Sequence, residues 1–444
     1  VLDAGINTAG TAIGFVGYAH IETLESAGSA YLSPIYNSDT SGYVAPTKAT
    51  IADLTYAPLT RPVYINVDQQ ELTKSDQHAA NLREFLTWGL GQEGTAIVEK
   101  IGYVAGTSYE REMRLDYLNT ADAATAFADG IADSLSHYVT THGVPTECAL
   151  EGLGGDHSYQ VYGTDPVQSA DNVLRIAGSS TVYPVVRTWA CVYEELFRPS
   201  FHIVISGGGS SMGAKRVCLP EDDSMAVDVG DMSRGWKTSE VASTSLSFVH
   251  QCIKSGSDMK KRVVQIPLGF DGLSVFAKTG SLAANCIAAM GGLTVAQLRW
   301  VYTDKTVAQL RTELGSGYAT VVPNDDGNDI RTWSDLSSNA ACAGASPIAI
   351  SGADPLSGTQ AFFGEVVLGK NYGTTGYENF DYARPFTNSH DDSVIVNSVL
   401  DAGINTAGTA IGFVGYAHIE TLESAGSAYL SPIYNSDTSG YVAP

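Results

Sequence analysis

Positive charge is scarce in this chain: 25 Lys and Arg stand against 48 Asp and Glu, a formal net charge of −23 over 444 residues. That deficit removes the non-specific attraction by which basic proteins hold nucleic acid or an anionic membrane surface, so neither is an expected partner. Long apolar runs are missing as well. No stretch of eighteen apolar residues occurs, so no membrane-spanning helix is expected, and no secretory-leader pattern is present. The six cysteines, Cys148, Cys191, Cys218, Cys252, Cys286 and Cys342, lack metal-site spacing. They allow fifteen pairings, and the acidic, well-solvated composition of an extracellular or cell-surface protein favours disulfides without saying which. None of the nine histidines sits in a recognisable catalytic motif. His202, in an apolar strand pattern, reads as a core or edge residue, and His390, beside Asp391 and Asp392, as a solvated loop residue. Neither a metal, a cofactor nor an enzymatic activity is expected.

What is present is enough apolar sequence for packed domains, 44% hydrophobic against 16% charged residues. It carries one large internal repeat. Residues 1–46 recur without a substitution at 399–444, a period of 399 − 1 = 398 residues. A spacing of that length fits a whole globular module and is far too long for a solenoid. The expectation is a tandem-repeat protein in which neighbouring copies are partners, with a repeat frame permuted relative to the folding module.

Short apolar strands alternate with helical periodicity, the pattern of an α/β fold that binds ligand at the carboxyl ends of its strands. Strands are predicted at 175–177, 202–206, 225–230 and 347–350, and 263–276 reads as a long apolar run, broken at Gly269-Phe270-Asp271-Gly272, that crosses between two lobes. A helix with Val182, Val186, Trp189 and Leu196 on one face follows the first strand. Thr294-Val295-Ala296-Gln297 and Ser357-Gly358-Thr359-Gln360 read as capping boxes. Residues 106–174 differ in kind, with eleven acidic and two basic residues, while Phe127, Ile131, Leu135 and Tyr138 keep helical spacing. This stretch reads as an acidic, partly helical joint between modules; Gly152–Gly155 alone would suit a flexible tether.

Three turns, 178–181, 207–211 and 357–359, place small hydroxyl residues at predicted helix N-termini. Unpaired first-turn amides, the helix dipole and glycine's close approach make such turns oxyanion sites when they converge; singly they are ordinary caps. Gly209-Ser210-Ser211-Met212-Gly213 also satisfies the hydrolase pattern G-x-S-x-G, but chance glycine-serine runs produce it and no histidine partner is evident.

In their order these motifs resemble the phosphate-binding proteins of bacterial ABC phosphate transporters. Arg175-Ile176-Ala177-Gly178-Ser179-Ser180-Thr181-Val182-Tyr183-Pro184 resembles the opening strand and first anion turn, Gly208-Gly209-Ser210-Ser211 the second, and Asp228-Val229-Gly230-Asp231-Met232-Ser233-Arg234 the third. Gly269–Gly272 resembles the strand that follows, Ser357-Gly358-Thr359 with Phe362-Phe363 the second-lobe turn, and Asp391-Asp392 with 411–417 the return segment. The closing strand and last helix are matched at the front of the chain, by 56–64 and 98–104. The resemblance implies a two-lobed periplasmic-binding-protein-like (type II) α/β fold that closes on orthophosphate. Thr181 with Val182 beside it, and Ser210, would serve from the first lobe, Ser233 would stand where the family has Asp or Ser, and Ser357, Gly358 and Thr359 would serve from the second lobe. Residues 1–105 would be the C-terminal part of one module, 106–174 the joint, and 175–444 the N-terminal and central part of the next.

One departure stands out. Many members carry an arginine just ahead of the second-lobe turn, whereas Gly352-Ala353-Asp354-Pro355-Leu356 has no basic residue, and Asp354 is displaced from the family's acid. Losing that charge-assisted hydrogen bond would cost about 1.5–3 kcal/mol, roughly ten- to a hundredfold in affinity. Identical copies and this gap favour a structural building block of an extracellular fibre, sheath or adhesive polymer with a degenerate pocket; the alternative is phosphate capture.

Overall fold

The computed structural model describes residues 48–55, 60–105, 138–149, 161–162, 171–253 and 261–368, the last range interrupted at 274, 279, 304 and 356. It also describes Val399 and short strands at 13–14, 35–37, 42–44, 386–389, 410–413, 429–431, 433–435 and 440–442. Phe127, Ile131, Leu135, Gly152–Gly155, Tyr56–Leu59, His390, Asp391 and Asp392, which carried expectations above, lie outside the described residues.

Two large hydrophobic cores define two lobes, and a smaller one backs the first-lobe sheet. The first lobe is built on an eight-stranded mixed sheet. In chain order its strands are β1 (Thr60–Asp68), β2 (Val161–Tyr162), β3 (Val173–Gly178), β4 (His202–Ser206), β5 (Val229–Met232), β6 (Val241–Ser243), β7 (Val249–Cys252) and β8 (Arg262–Gly272). In space they run β2-β4-β3-β5-β1-β8-β7-β6. Strands β4, β3 and β5 are mutually parallel, with the glycine-serine turns at their carboxyl ends, and β1 is antiparallel to both of its neighbours. Apolar side chains on both faces are buried, Val63, Ile65 and Val67 of β1 on one and Ala177 of β3 and Val263 of β8 on the other, as a sheet covered on two sides requires.

The front segment thus enters the interior of the sheet. Strand β1 pairs with β8 from Thr60↔Gly272 to Asp68↔Val263 and with β5 from Tyr64↔Met232 to Val67↔Val229. Helices α1 (Gln77–Leu90) and α2 (Gln92–Ile101) follow it, and their Phe85, Leu86, Trp88 and Val98 pack in the first core with Trp189. Ile51, in the short helix Lys48–Ala52, packs instead in the second core. The described residues of 48–105 therefore contribute to both cores, and β1 and β8 run side by side.

The acidic segment is partly built into the first lobe. Strand β2 is an edge strand on β4, and a short helix at Tyr138–His142 leads to Cys148, which is bonded to Cys191. The other disulfides are Cys218–Cys252, behind β7, and Cys286–Cys342 in the second lobe, so all six cysteines are paired. The second lobe holds a parallel strand trio in which 349–353 lies between 386–389 and 410–413. Strand 410–413 belongs to the second copy of the repeated segment, whereas Ile13–Gly14 of the first copy pairs with 275–277.

Local signals explain most boundaries. Thr294 and Gln297 form the full reciprocal capping box, each at 2.8 Å from the other's backbone N–H. The strand expected over 225–230 begins later, at Val229, because Asp223 closes a turn by accepting the Met225 N–H at 2.8 Å and the Ala226 N–H at 2.9 Å. Among the described residues no helix is long and apolar enough to cross a membrane.

Removing β1 would leave β5 and β8 with unpaired edges in the middle of a sheet. Residues 175–444 followed directly by 47–105 are expected to melt cooperatively as a monomer, and 175–444 alone to aggregate; equal melting temperatures and monomer fractions would contradict this placement.

Candidate functional site

The three hydroxyl turns meet. Strand β3 ends at Gly178, where φ is +151° and a Cβ would lie 2.0 Å from the Asp231 carbonyl oxygen, so only glycine lets β3 and β5 approach this closely. The Ser179 N–H donates to that same oxygen at 3.1 Å, which fixes the first turn on the third. Helix α3 (Tyr183–Val192) starts beyond Thr181 and Val182, and α4 (Ser210–Val217) starts at Ser210 after Gly209, whose φ is +82°. In the second lobe α5 (Gly358–Val366) is capped by Ser357, which accepts the Thr359 N–H at 3.1 Å and keeps its own O–H to donate.

The N-termini of α4 and α5 face each other directly. A Cβ on Gly358 would lie 2.3 Å from Ser210 Oγ and 2.5 Å from Ser233 Oγ. Ser179 donates to Ser233 Oγ at 3.0 Å, the Ser233 N–H donates to Ser210 Oγ at 3.0 Å, and the Ser210 and Ser233 hydroxyls are 3.3 Å apart. Across the cleft Thr181 Oγ1 and Thr359 Oγ1 are 3.5 Å apart. Thr181, Ser210, Ser233, Ser357 and Thr359 are each less than 5% exposed. The predicted hydroxyls and Gly358 are thus brought together with the lobes closed. Val182 is buried beside them, but its N–H donates to the Ser179 carbonyl at 3.1 Å and shapes the turn rather than facing the cleft.

The basic residue missing from 352–356 is supplied from elsewhere. Arg61 of β1, 1% exposed, stands opposite Asp271 in the antiparallel register. Its Nε and Nη2 donate to Asp271 Oδ2 at 3.0 and 2.7 Å, and its Nη1 donates to Thr359 Oγ1 at 3.1 Å. Phe362 of α5 lies under the guanidinium, 5.8 Å from ring centroid to Cζ. The expectation of a pocket without a charge-assisted donor is therefore corrected: the arginine arrives on a cross-strand neighbour rather than ahead of the second-lobe turn. Both motifs were visible in the sequence, but only strand register shows that they touch.

Two further charges shape the turns. Arg234 donates to both carboxylate oxygens of Glu240, at 2.9 and 2.7 Å, and to Ser211 Oγ at 3.1 Å. The Ser211 hydroxyl of the hydrolase-like pattern is thus engaged by an arginine. Asp231 is fully buried, its Oδ1 has no hydrogen-bond partner among the described residues, and burial raises its carboxyl from the ordinary 3.8 to about 8. A carboxyl kept neutral adds no negative charge beside the hydroxyl turns.

The opposite end of the sheet holds a cavity of about 290 Å³ lined by acidic and basic residues. There Asp68, Glu71 and Glu221 bring carboxylates within 4.8 Å of one another. Lys74 bridges Glu71 and Glu221 at 2.6 Å each and Lys261 pairs with Asp68 at 3.0 Å, so ammonium groups already occupy the positions a cation would take.

Two lobes joined by crossing strands, with helix N-termini and hydroxyls converging between them, define a bilobal α/β binding protein. The family described as PBP superfamily domain matches residues 164–439, and the chain belongs to that superfamily. Similar solved structures include a phosphate-binding protein of a phosphate ABC transporter from Streptococcus pneumoniae TIGR4, at 16% identity and a TM-score of 0.30 over 59% of this chain and 65% of that one. Another is a possible phosphate binding protein from Planctomyces limnophilus DSM 3776, at 20% identity and a TM-score of 0.31 over 61% of this chain and 73% of that one. The chain thus spans just under two thirds of the first of these. No curated protein sequence matches it.

Because the Asp231 carboxyl stays protonated when folded and ionises when unfolded, its contribution to stability is full below about pH 4 and is lost as pH rises through about 8. Asp231→Asn should flatten that decline in denaturant-unfolding free energy between pH 4 and 8; an unchanged slope would show that Asp231 is not its source.

Proposed function

We propose that each two-lobed unit binds orthophosphate between its lobes. The observation that carries this reading is the Arg61 guanidinium, oriented by Asp271 and pointing Nη1 at Thr359 amid the buried hydroxyls of Thr181, Ser210, Ser233 and Ser357. A tetrahedral oxyanion needs several donors from different directions, and charge-assisted bonds to arginine are the strongest of them. Asp271 balances the guanidinium charge, so selectivity rests on donor geometry more than on net attraction. The closed lobes leave the hydroxyls in contact with one another, so the anion enters by lobe separation and replaces hydroxyl–hydroxyl contacts with hydroxyl–phosphate ones.

A second reading has its own support. The unbroken identity of 1–46 and 399–444 suits a repeated building block of an extracellular fibre, sheath or adhesive polymer, and three disulfides suit an oxidising compartment. The two readings are compatible in one array whose units retain their pockets.

Titration calorimetry with phosphate is expected to find one site per unit. Arg61→Met should weaken it by roughly ten- to a hundredfold, in line with a lost charge-assisted bond, and Thr181→Ala and Ser357→Ala by less. Absence of heat at millimolar phosphate would contradict the binding reading.

A further inference from the structure

The segment whose charge pattern marks a spacer contains a stretch that behaves as part of the lobe. Glu93 of α2 is 2% exposed, and its carboxylate accepts the N–H of Val139 at 2.5 Å and the hydroxyl of Thr140 at 2.9 Å. An acidic side chain at a helix start satisfies amides that have no partner within the helix, and here the acid comes from a different element. Val139 is 5% and Cys148 0% exposed, both within the first core. Cys148 is covalently bonded to Cys191 on α3, and Arg187 of α3 donates to the Cys148 carbonyl at 3.0 Å. Residues 138–149 therefore grip α2 at one end and α3 at the other.

Those two helices lead to the site. Helix α3 begins at the Thr181 turn, and strand β1, which precedes α1 and α2 in the chain, carries Arg61. They are in contact along their length: Trp189 Nε1 of α3 donates to the Gly94 carbonyl of α2 at 3.0 Å, and the Tyr103 hydroxyl, two residues past α2, donates to the Thr181 carbonyl at 2.6 Å. A Cβ on Gly89 would lie 2.5 Å from the Trp189 ring, so the packing leaves no slack there.

We propose that residues 138–149 form a strap, anchored by Cys148–Cys191 and by Glu93, that locks segment 47–105 against the helix carrying the Thr181 turn and so positions the first-lobe half of the cleft from outside it. The strap's anchors lie on α2 and α3, and it acts through the α2–α3 contact and Tyr103. This inference rests on the anion-binding reading only for its consequence for ligand; the strap itself is a packing claim.

The test uses the whole 444-residue chain and two variants, Glu93→Ala and Cys148→Ser/Cys191→Ser, with Glu93→Gln as the conservative replacement. Amide exchange read by mass spectrometry at 138–149, 92–103 and 179–183 should be at least tenfold faster in both disrupted variants, unchanged over 282–290 of the second lobe, and largely restored by Glu93→Gln. Phosphate affinity should fall several-fold in the same two variants. Unchanged exchange at 138–149 would overturn the strap. Faster exchange confined to 138–149, with 179–183 unaffected, would overturn its coupling to the site. Wild-type protein that binds no phosphate would defeat the anion reading, while the exchange rates would still decide the strap.

Discussion

The buried pair between Arg61 and Asp271 joins everything else in this molecule. It sits where the two strands that cross between the lobes run antiparallel, and its partners are direct neighbours in that register. A guanidinium buried without a carboxylate would be strongly destabilising, about 3–5 kcal/mol for a broken pair. The pair therefore requires strand β1 to occupy the middle of the first-lobe sheet. It also requires Thr359, on the second lobe, to receive the remaining guanidinium edge. Fold closure and donor placement are thus consequences of one cross-strand contact.

Around that contact the molecule is assembled from distant pieces of chain. Arg61 and Asp271 are 210 residues apart, and Arg61 and Thr359 are 298 apart. Glycine at 178 and 358 allows the turns to approach closely enough for their hydroxyls to touch, and the disulfides fasten elements behind the site rather than within it. The result is a cleft in which the hydroxyls of Ser179, Thr181, Ser210, Ser233 and Thr359 and the Arg61 guanidinium hydrogen-bond one another, which offsets part of the cost of burying them.

Much of this was legible in the sequence, and the parts that were share a physical reason. Strand 202–206, the capping box at Thr294 and the serine-rich turns are local: side-chain alternation, a residue and its third neighbour, or glycine beside a hydroxyl suffices to specify them. Thr181, Ser210, Ser357 and Thr359 were nameable because each stands at a helix start, whereas Ser233 opens no helix and was named only through the resemblance of 228–234. Arg61 was missed because its place is set by register across two strands 210 residues apart in the chain, and a search confined to the residues ahead of Ser357 cannot find it. The disulfide pattern is non-local in the same way. The anchoring of the acidic segment was not legible for a different reason: its net charge describes a solvated surface, whereas its anchors are two buried residues, Val139 and Cys148, and a carboxylate 46 residues upstream of Val139.

The central claim is that Arg61, oriented by Asp271, is the charged donor of an oxyanion site between the lobes. A crystal structure of the 444-residue chain grown in phosphate tests it most directly. The account predicts one anion between the lobes, within hydrogen-bond distance of Arg61 Nη1 and of the Thr181, Ser210 and Thr359 hydroxyls. Phosphate bound instead among Lys74, Arg175 and Lys261 at the far end of the first-lobe sheet, with the cleft closed and empty, would contradict it.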